Sequence, residues 1–251
     1  MVYQWRTSIR RFWHGMRENR HFCALCAQRA DTPHPLCSAC QQDMPWLGHA
    51  CECCAEPISP AQTRCPRCQL HTPAFQRVLT PYRYAFPINR LIVRFKHHQQ
   101  RAEGRLLAQW LAEHLKHCQD EGQPLAQQLL PVPISAQRLR QRGFNQTEWL
   151  AQWLGKSLQL PVNSHLLQRV RHSAAQQTLD AAARRSNLLD AFQLTDAHAI
   201  QGQHLALVDD VLTTGATAEV LAQLLLTQGA SRVDVYCIAR TPPKTTLSNL
   251  P

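Results

Sequence analysis

No run of about 18 apolar residues occurs in the 251-residue sequence, so a membrane-crossing helix is not expected. The first 22 residues lack the unbroken apolar stretch of a secretory signal. A cytoplasmic protein is the expectation, either free or held peripherally at the inner membrane face. Acidic side chains are scarce: 17 Asp and Glu stand against 27 Lys and Arg, a formal charge of +10. The deficit lies at the front, with net charges of +4 over residues 1–80, +5 over 81–150 and +1 over 151–251. A surplus placed this way favours a polyanionic partner such as nucleic acid or a pyrophosphate. The argument weakens, to a net charge of roughly +6, if two zinc ions bind eight cysteines as thiolates.

Cysteine is not scarce. Cys23-x-x-Cys26 is followed by Cys37-x-x-Cys40, and the spacing returns as Cys51-x-x-Cys54 and Cys65-x-x-Cys68, offset by 28 residues at every position. Paired C-x-x-C turns present four thiolates to a tetrahedral Zn²⁺, so this internal repeat predicts two closed, structural zinc sites. Disulfides are disfavoured in a reducing cytosol, and a redox dithiol does not need four copies. Cys53 lies within the third pair, where it is able to replace either neighbour, and pairing across the repeats stays open. So short a segment, poor in large apolar residues, needs metal to fold. Cys118 and Cys237 have no such partner and read as small core residues.

Ahead of the cysteines, residues 1–22 form a basic amphipathic helix pattern through Trp5, Ile9, Phe12, Trp13 and Met16. It docks on its own protein or contacts a membrane surface or nucleic acid, unless translation begins at Met16. Behind them, His71-Thr72-Pro73 marks a linker. Residues 82–105 then interleave Tyr82, Tyr84, Phe86 and Phe95 with a basic series that includes Arg83, Arg90, Arg94 and Lys96. The pattern fits a surface for single-stranded nucleic acid, or an edge strand and helix with core aromatics and solvated charges. The adjacent His97 and His98 do not share a helical face. An amphipathic helix follows over 106–115, broken at Gly122 and Pro124.

The pattern then becomes strand–loop–helix. Leu129–Ile134 reads as a buried strand; an Arg-rich loop with Arg138, Arg140 and Arg142 follows, then a helix through Trp149, Leu150 and Trp153. Three guanidiniums in one loop suit a pyrophosphate. A second such unit runs LALVDDVLTTGAT over 205–217 into a helix with Val220, Leu221, Leu224 and Leu225. Four apolar residues read as a buried parallel strand, and Thr-Thr-Gly-Ala-Thr as a tight loop at a helix N-terminus, where free N–H groups and the helix dipole hold a phosphate. Asp209 and Asp210 sit just upstream, placed to accept hydrogen bonds from sugar hydroxyls. Another buried strand is expected around Val233–Ile238, then a frayed tail.

LALVDDVLTTGAT resembles the 5-phosphoribosyl-1-pyrophosphate (PRPP) signature of type I phosphoribosyltransferases. The resemblance implies that Asp209 and Asp210 take the ribose hydroxyls, that Thr213, Thr214, Gly215, Ala216 and Thr217 wrap the 5′-phosphate, and that Mg²⁺ accompanies PRPP. The tract RLRQRGFNQTEWLA (138–151) resembles the matching stretch of the ComF (competence protein F) family, as does RVRHSAAQQTLDAAARRSNLLDAF (169–192). In the second tract, Arg169, Arg171, Gln176, Arg184 and Asn187 fall on the loop that covers PRPP in type I phosphoribosyltransferases. The implied fold is α/β, a type I phosphoribosyltransferase-like parallel sheet flanked by helices, behind a double zinc-ribbon-like module. The implied organisation is an extension over 1–22, the zinc module over 23–72, the phosphoribosyltransferase-like domain over 77–241 and a tail over 242–251. Natural competence, contact with single-stranded DNA and a DNA-uptake helicase or translocation machinery are the implied context. No base-binding hood is recognisable, so the acceptor and turnover stay open; a nucleotide-salvage phosphoribosyltransferase with a purely structural zinc module is the alternative.

Overall fold

The computed structural model describes residues 22–29, 31, 36–98, 100–170 and 191–242. The N-terminal helix pattern, the tail beyond 242 and, of the covering-loop residues, Arg171, Gln176, Arg184 and Asn187 lie outside them. The chain divides into two compact units, Met1–Pro45 and Trp46–Pro251.

In the first unit the cysteine repeat folds as a tight turn and a short helix. Phe22 and Arg29 form an antiparallel bridge. Cys23 N donates to Gln28 O at 2.7 Å and Ala27 N to Cys23 O at 2.9 Å. Ala27 takes a left-handed φ of 58° to close the turn. Helix α1, Ser38–Gln42, starts at Cys37, whose Sγ accepts from Cys40 N. The second unit opens with the same construction 28 residues on. Ala50 bridges Pro57, Cys51 N donates to Glu56 O at 2.8 Å, Ala55 N donates to Cys51 O at 2.9 Å, and Ala55 has φ 54°. Helix α2, Pro66–Leu70, follows Cys65. The sequence repeat is thus also a backbone repeat in its turns, although Cys65 does not cap α2 as Cys37 caps α1.

The rest of the second unit is a parallel sheet flanked by helices. Its strands are β1 (Val78–Leu79), β2 (Tyr82–Arg83), β3 (Gln128–Pro131), β6 (His204–Leu212) and β7 (Arg232–Arg240), in the order β1-β7-β6-β3 with β2 also on β7. Every pairing is parallel. Two short strands, β4 (Leu167–Arg169) and β5 (Phe192–Leu194), pair antiparallel apart from it. β7 is buried along nearly its whole length, as expected of a central strand covered on both faces.

Helices α3 (Ile88–His98), α4 (Arg101–Asp120) and α6 (Gln146–Leu158) pack as a group, α4 against β7 and α6 against β3 and β6. Their contact is close because Gly104 lacks a side chain: a Cβ there would meet the Phe95 ring and come within 2.7 Å of Trp153 Cζ3. Helix α7, Ala216–Thr227, packs on β7 and β5. Of the aromatics in 82–105, Tyr82 and Phe95 belong to the core, whereas Phe86 is exposed. The Arg-rich tract expected as a loop is instead helix α5, Ala136–Arg142. Ser135 Oγ caps it by accepting from Arg138 N, and Gly143 ends it at φ 76°. These two caps outweigh the crowding of like charges. At the other edge of the sheet, buried Asp234 accepts from Arg77 and Arg232, each at 3.0 Å, and lies 2.9 Å from His204 Nε2. The Cys118 and Cys237 side chains are buried, as read from the sequence. No described helix is long and apolar enough to cross a membrane.

Candidate functional site

β6 outruns its neighbour. β3 stops pairing at Val208, so Asp209 and Asp210 have β7 on one side only. Successive strand residues face opposite sides. The buried Asp210 reaches the helix layer: Lys96 Nζ of α3 lies 2.9 Å from Asp210 Oδ2, and Gln146 Nε2 of α6 donates to the same oxygen at 3.2 Å. Arg142 Nη1 donates in turn to Gln146 Oε1 at 2.9 Å. Asp209 Oδ1 accepts from Asp210 N at 2.8 Å. Its carboxyl is pushed well above the ordinary carboxylate range, to about 8. Desolvation is the largest cause and the Asp210 charge the next; the Asp210 N–H and Lys96 oppose them.

Three residues further on the strand gives way to the loop. Thr213 and Thr214 are exposed, and Gly215 turns the chain at φ 83° into α7. α7 has no side-chain N-cap at Gly215, and the first-turn N–H groups of any helix lack intrahelical partners. A carboxylate pair, an open loop and a helix N-terminus therefore converge at the C-terminal edge of a parallel sheet, where such sheets bind ligands. Beside the loop a cleft of about 290 Å³ is lined by Thr214, Gly215, Ala216 and Glu219 and by Arg67, Cys68 and His71.

The arginines sort by surroundings. Arg138 and Arg140 are exposed on α5. Arg169 closes β4 over the Phe192 ring, 5.3 Å from its centroid. Its guanidinium is pulled below the usual arginine range, by burial first and by the like charge of Arg138 second. Of the residues read as a nucleic-acid surface, Arg94 Nη2 pairs with buried Glu103 at 2.9 Å, and Lys96 belongs to Asp210. Arg83 and Arg90 remain at the surface.

Each set of four cysteines forms a cluster whose sulfurs all lie within 4.8 Å of one another: Cys23, Cys26, Cys37 and Cys40 in one, and Cys51, Cys54, Cys65 and Cys68 in the other. Cys53 is in neither. A tetrahedral site with Zn–S bonds of about 2.3 Å sets its sulfurs about 3.8 Å apart. Cys26 and Cys37 sulfurs are 3.7 Å apart, and those of Cys54 and Cys65 3.6 Å. Burial opposes ionisation of Cys23 and Cys51, but backbone N–H groups bring each thiol down to about 7. Burial and the neighbouring thiols push Cys40 and Cys68 up. A lowered thiol beside raised neighbours is an arrangement that a bound dication would complete. Both clusters fit a metal of the zinc type.

No protein-family model matches the chain. A DNA utilization protein YhgH of Escherichia coli O157:H7 is 35% identical over 221 residues, 87% of this chain and 96% of that protein. Competence protein F of Haemophilus influenzae is 32% identical over 210 residues, 82% of this chain and 90% of that one. The chain belongs to the ComF family. Among solved structures, a purine phosphoribosyltransferase from Pyrococcus horikoshii is 17% identical with a TM-score of 0.32, covering 57% of this chain and 76% of that one, a likeness too slight to bear on the site. Family membership rests on the two relatives.

Reading the sequence alone left five residues unplaced in this site. Gln146 and Lys96 hold Asp210, and Glu56, Arg67 and Arg240 gather near the loop, with Lys96 alone among the five singled out and for another role. One signal was available: Arg240 closes the apolar run VYCIA, where a charge needs a buried partner.

The raised Asp209 carboxyl gives a pH-dependent test. The unfolded chain releases this proton near pH 4 and the folded chain near pH 8, so the ligand-free protein loses stability as pH rises between the two. Asp209→Asn should match the wild type near pH 4 and exceed it increasingly up to pH 8, by about 2 kcal/mol, because residual solvent contact screens much of the shift. Urea unfolding across that range checks this; a constant difference would refute it.

Proposed function

We propose that this ComF-family protein binds PRPP at the C-terminal edge of its sheet and acts in the uptake or use of DNA. One observation carries the reading: β6 delivers two adjacent carboxylates and then an open, glycine-turned loop onto the N-terminus of a 12-residue helix. Asp209 and Asp210 are suited to the ribose hydroxyls, with Lys96 and Gln146 fixing the orientation of Asp210. Residues 213–217 are suited to the 5′-phosphate through backbone N–H groups. Arg138, Arg140, Arg142 and Arg169 are candidates for the pyrophosphate. Mg²⁺ would come with the pyrophosphate and screen its charge. If a nitrogen nucleophile attacks C1 and expels pyrophosphate, these residues contribute position and electrostatics rather than a covalent bond.

The relatives' names support the DNA context. The basic front of the chain supports contact with single-stranded DNA and, through it, with uptake machinery in the cytoplasm. The two cysteine clusters are proposed to hold structural zinc, as a double zinc-ribbon-like module ahead of the phosphoribosyltransferase-like domain.

Calorimetry with Mg²⁺ and PRPP should show saturable binding that Asp209→Asn/Asp210→Asn weakens at least about tenfold. Pyrophosphate release over a panel of bases then reports turnover, and wild-type protein that does not bind PRPP would overturn the reading. Fluorescent single-stranded DNA should bind with an affinity that falls about tenfold or more between about 50 and 200 mM salt, with a smaller slope for Arg83→Ala/Arg90→Ala. Absence of binding at low salt would remove the DNA contact. Metal analysis should return about two zinc ions per chain, and about one for Cys51→Ser.

A further inference from the structure

Two guanidiniums and one carboxylate join the second cysteine cluster to the loop after β6. Arg240, the last residue of β7, is 2% exposed. Its Nε donates to the carbonyl of Cys54, a member of the cluster, at 2.9 Å. Its Nη1 faces the carbonyls of Leu212 at 3.1 Å, of Thr241 at 2.7 Å and of Thr213. Its Nη2 lies 3.5 Å from Glu56 Oε2. Arg67 stands on α2 between Cys65 and Cys68; its Nη1 donates to Thr214 O at 2.7 Å, and its Nη2 lies 3.8 Å from the same Glu56 oxygen.

Three consecutive loop carbonyls are therefore held by two cations. In a trans peptide the C=O and the following N–H point in opposite directions. Fixing the carbonyls of 212, 213 and 214 turns the N–H groups of 213, 214 and 215 the other way, out of the loop. An anion-binding loop needs that orientation in advance, because carbonyls facing a phosphate would repel it. The first cysteine repeat offers a comparison. It makes the same backbone bonds, yet Glu56 corresponds to Gln28 and Arg67 to Ala39. A four-cysteine turn does not require the charged pair; the second repeat carries it as an addition.

We propose that Arg240 and Arg67 are positioning residues for the phosphate loop, and that the second cysteine cluster, held by its metal, is the fixed point from which they act. The proposal rests on the reading of 213–217 as a 5′-phosphate loop. The cluster thereby acts beyond its own fold. It sets the direction of the loop's donors without touching the ligand. The polar contacts run beside the open 290 Å³ cleft, and the cluster's cysteines also pack in the same buried apolar core as Val78, Leu130 and Val235 of the sheet.

The test uses the zinc-loaded full chain and PRPP with Mg²⁺ as the probe. Calorimetry should show binding weakened about tenfold in Arg240→Lys, which keeps the charge but loses the fork, and about threefold in Arg67→Ala and Glu56→Gln. Cys68→Ser should lose one metal ion and weaken binding as Arg240→Lys does. Amide hydrogen exchange at 213–217 in the ligand-free chain should quicken in all four variants while exchange in β6 and β7 stays slow, a change that general destabilisation would not confine to the loop. Arg67 is at the surface, so Arg67→Ala remains informative if Arg240→Lys does not fold. Wild-type binding of PRPP with unchanged affinity and unchanged loop exchange in Arg67→Ala and Glu56→Gln overturns the coupling alone. Failure of the wild type to bind PRPP overturns the phosphate-loop reading, and the coupling with it.

Discussion

At the end of β6 the backbone leaves the sheet, and its carbonyls must find donors elsewhere. Leu212 O keeps one strand-like partner, Thr241 N at 3.0 Å, while Thr213 O and Thr214 O turn to Arg240 and Arg67. The two guanidiniums thereby give the loop's carbonyls fixed partners within the protein. Arg240 is itself buried, and a buried cation requires partners on all sides. Glu56 and the carbonyl of Cys54 supply them, which brings the cysteine-rich turn against the end of the sheet. The loop, the buried cation and the cysteine cluster are thus one electrostatic arrangement.

The carboxylate pair shows the opposite economy. Asp210 is paired with Lys96, whereas the partly exposed Asp209 faces its neighbour's charge without a cation of its own. Such an arrangement costs stability in the empty protein and is relieved by a bound cation or by hydroxyl donors, a common signature of a binding site. The mirror case is Asp234 at the far edge of the sheet. It has Arg77, Arg232 and His204 around it, and its carboxyl is held below the ordinary range even against burial.

Motifs that depend on contiguous residues were legible in the sequence. The 28-residue cysteine offset anticipated two clusters with the same internal bonds, and the strand–loop–helix around Asp209 was visible from apolar runs and the Thr-Thr-Gly turn. What depends on distant partners was not. Lys96 looked like a surface charge because its helix carries several others, and only the packing of α3 beside β6 turns it toward Asp210. Arg94 likewise spends its charge on Glu103, nine residues away. The Arg138–Arg142 tract read as a loop because its like charges disguised a helix defined by Ser135 and Gly143. Periodicity reports which face is apolar; it is silent on which charge meets which.

The place of β7 in the sheet has a consequence for how the chain is made. β7 lies between β1 and β6 and, among the described residues, is the last strand in sequence. Until it arrives, β1 and β2 have no partner in the sheet, and β6 has only β3. Arg240 sits at its end, so the loop's carbonyls also wait for it. A nascent chain can close its cysteine turns early, but the sheet and the loop after β6 come together only when residues 232–240 leave the ribosome. Ribosomes that stall just short of that point would hold a protein with folded cysteine turns and an open, hydrophobic strand edge, a natural substrate for chaperones.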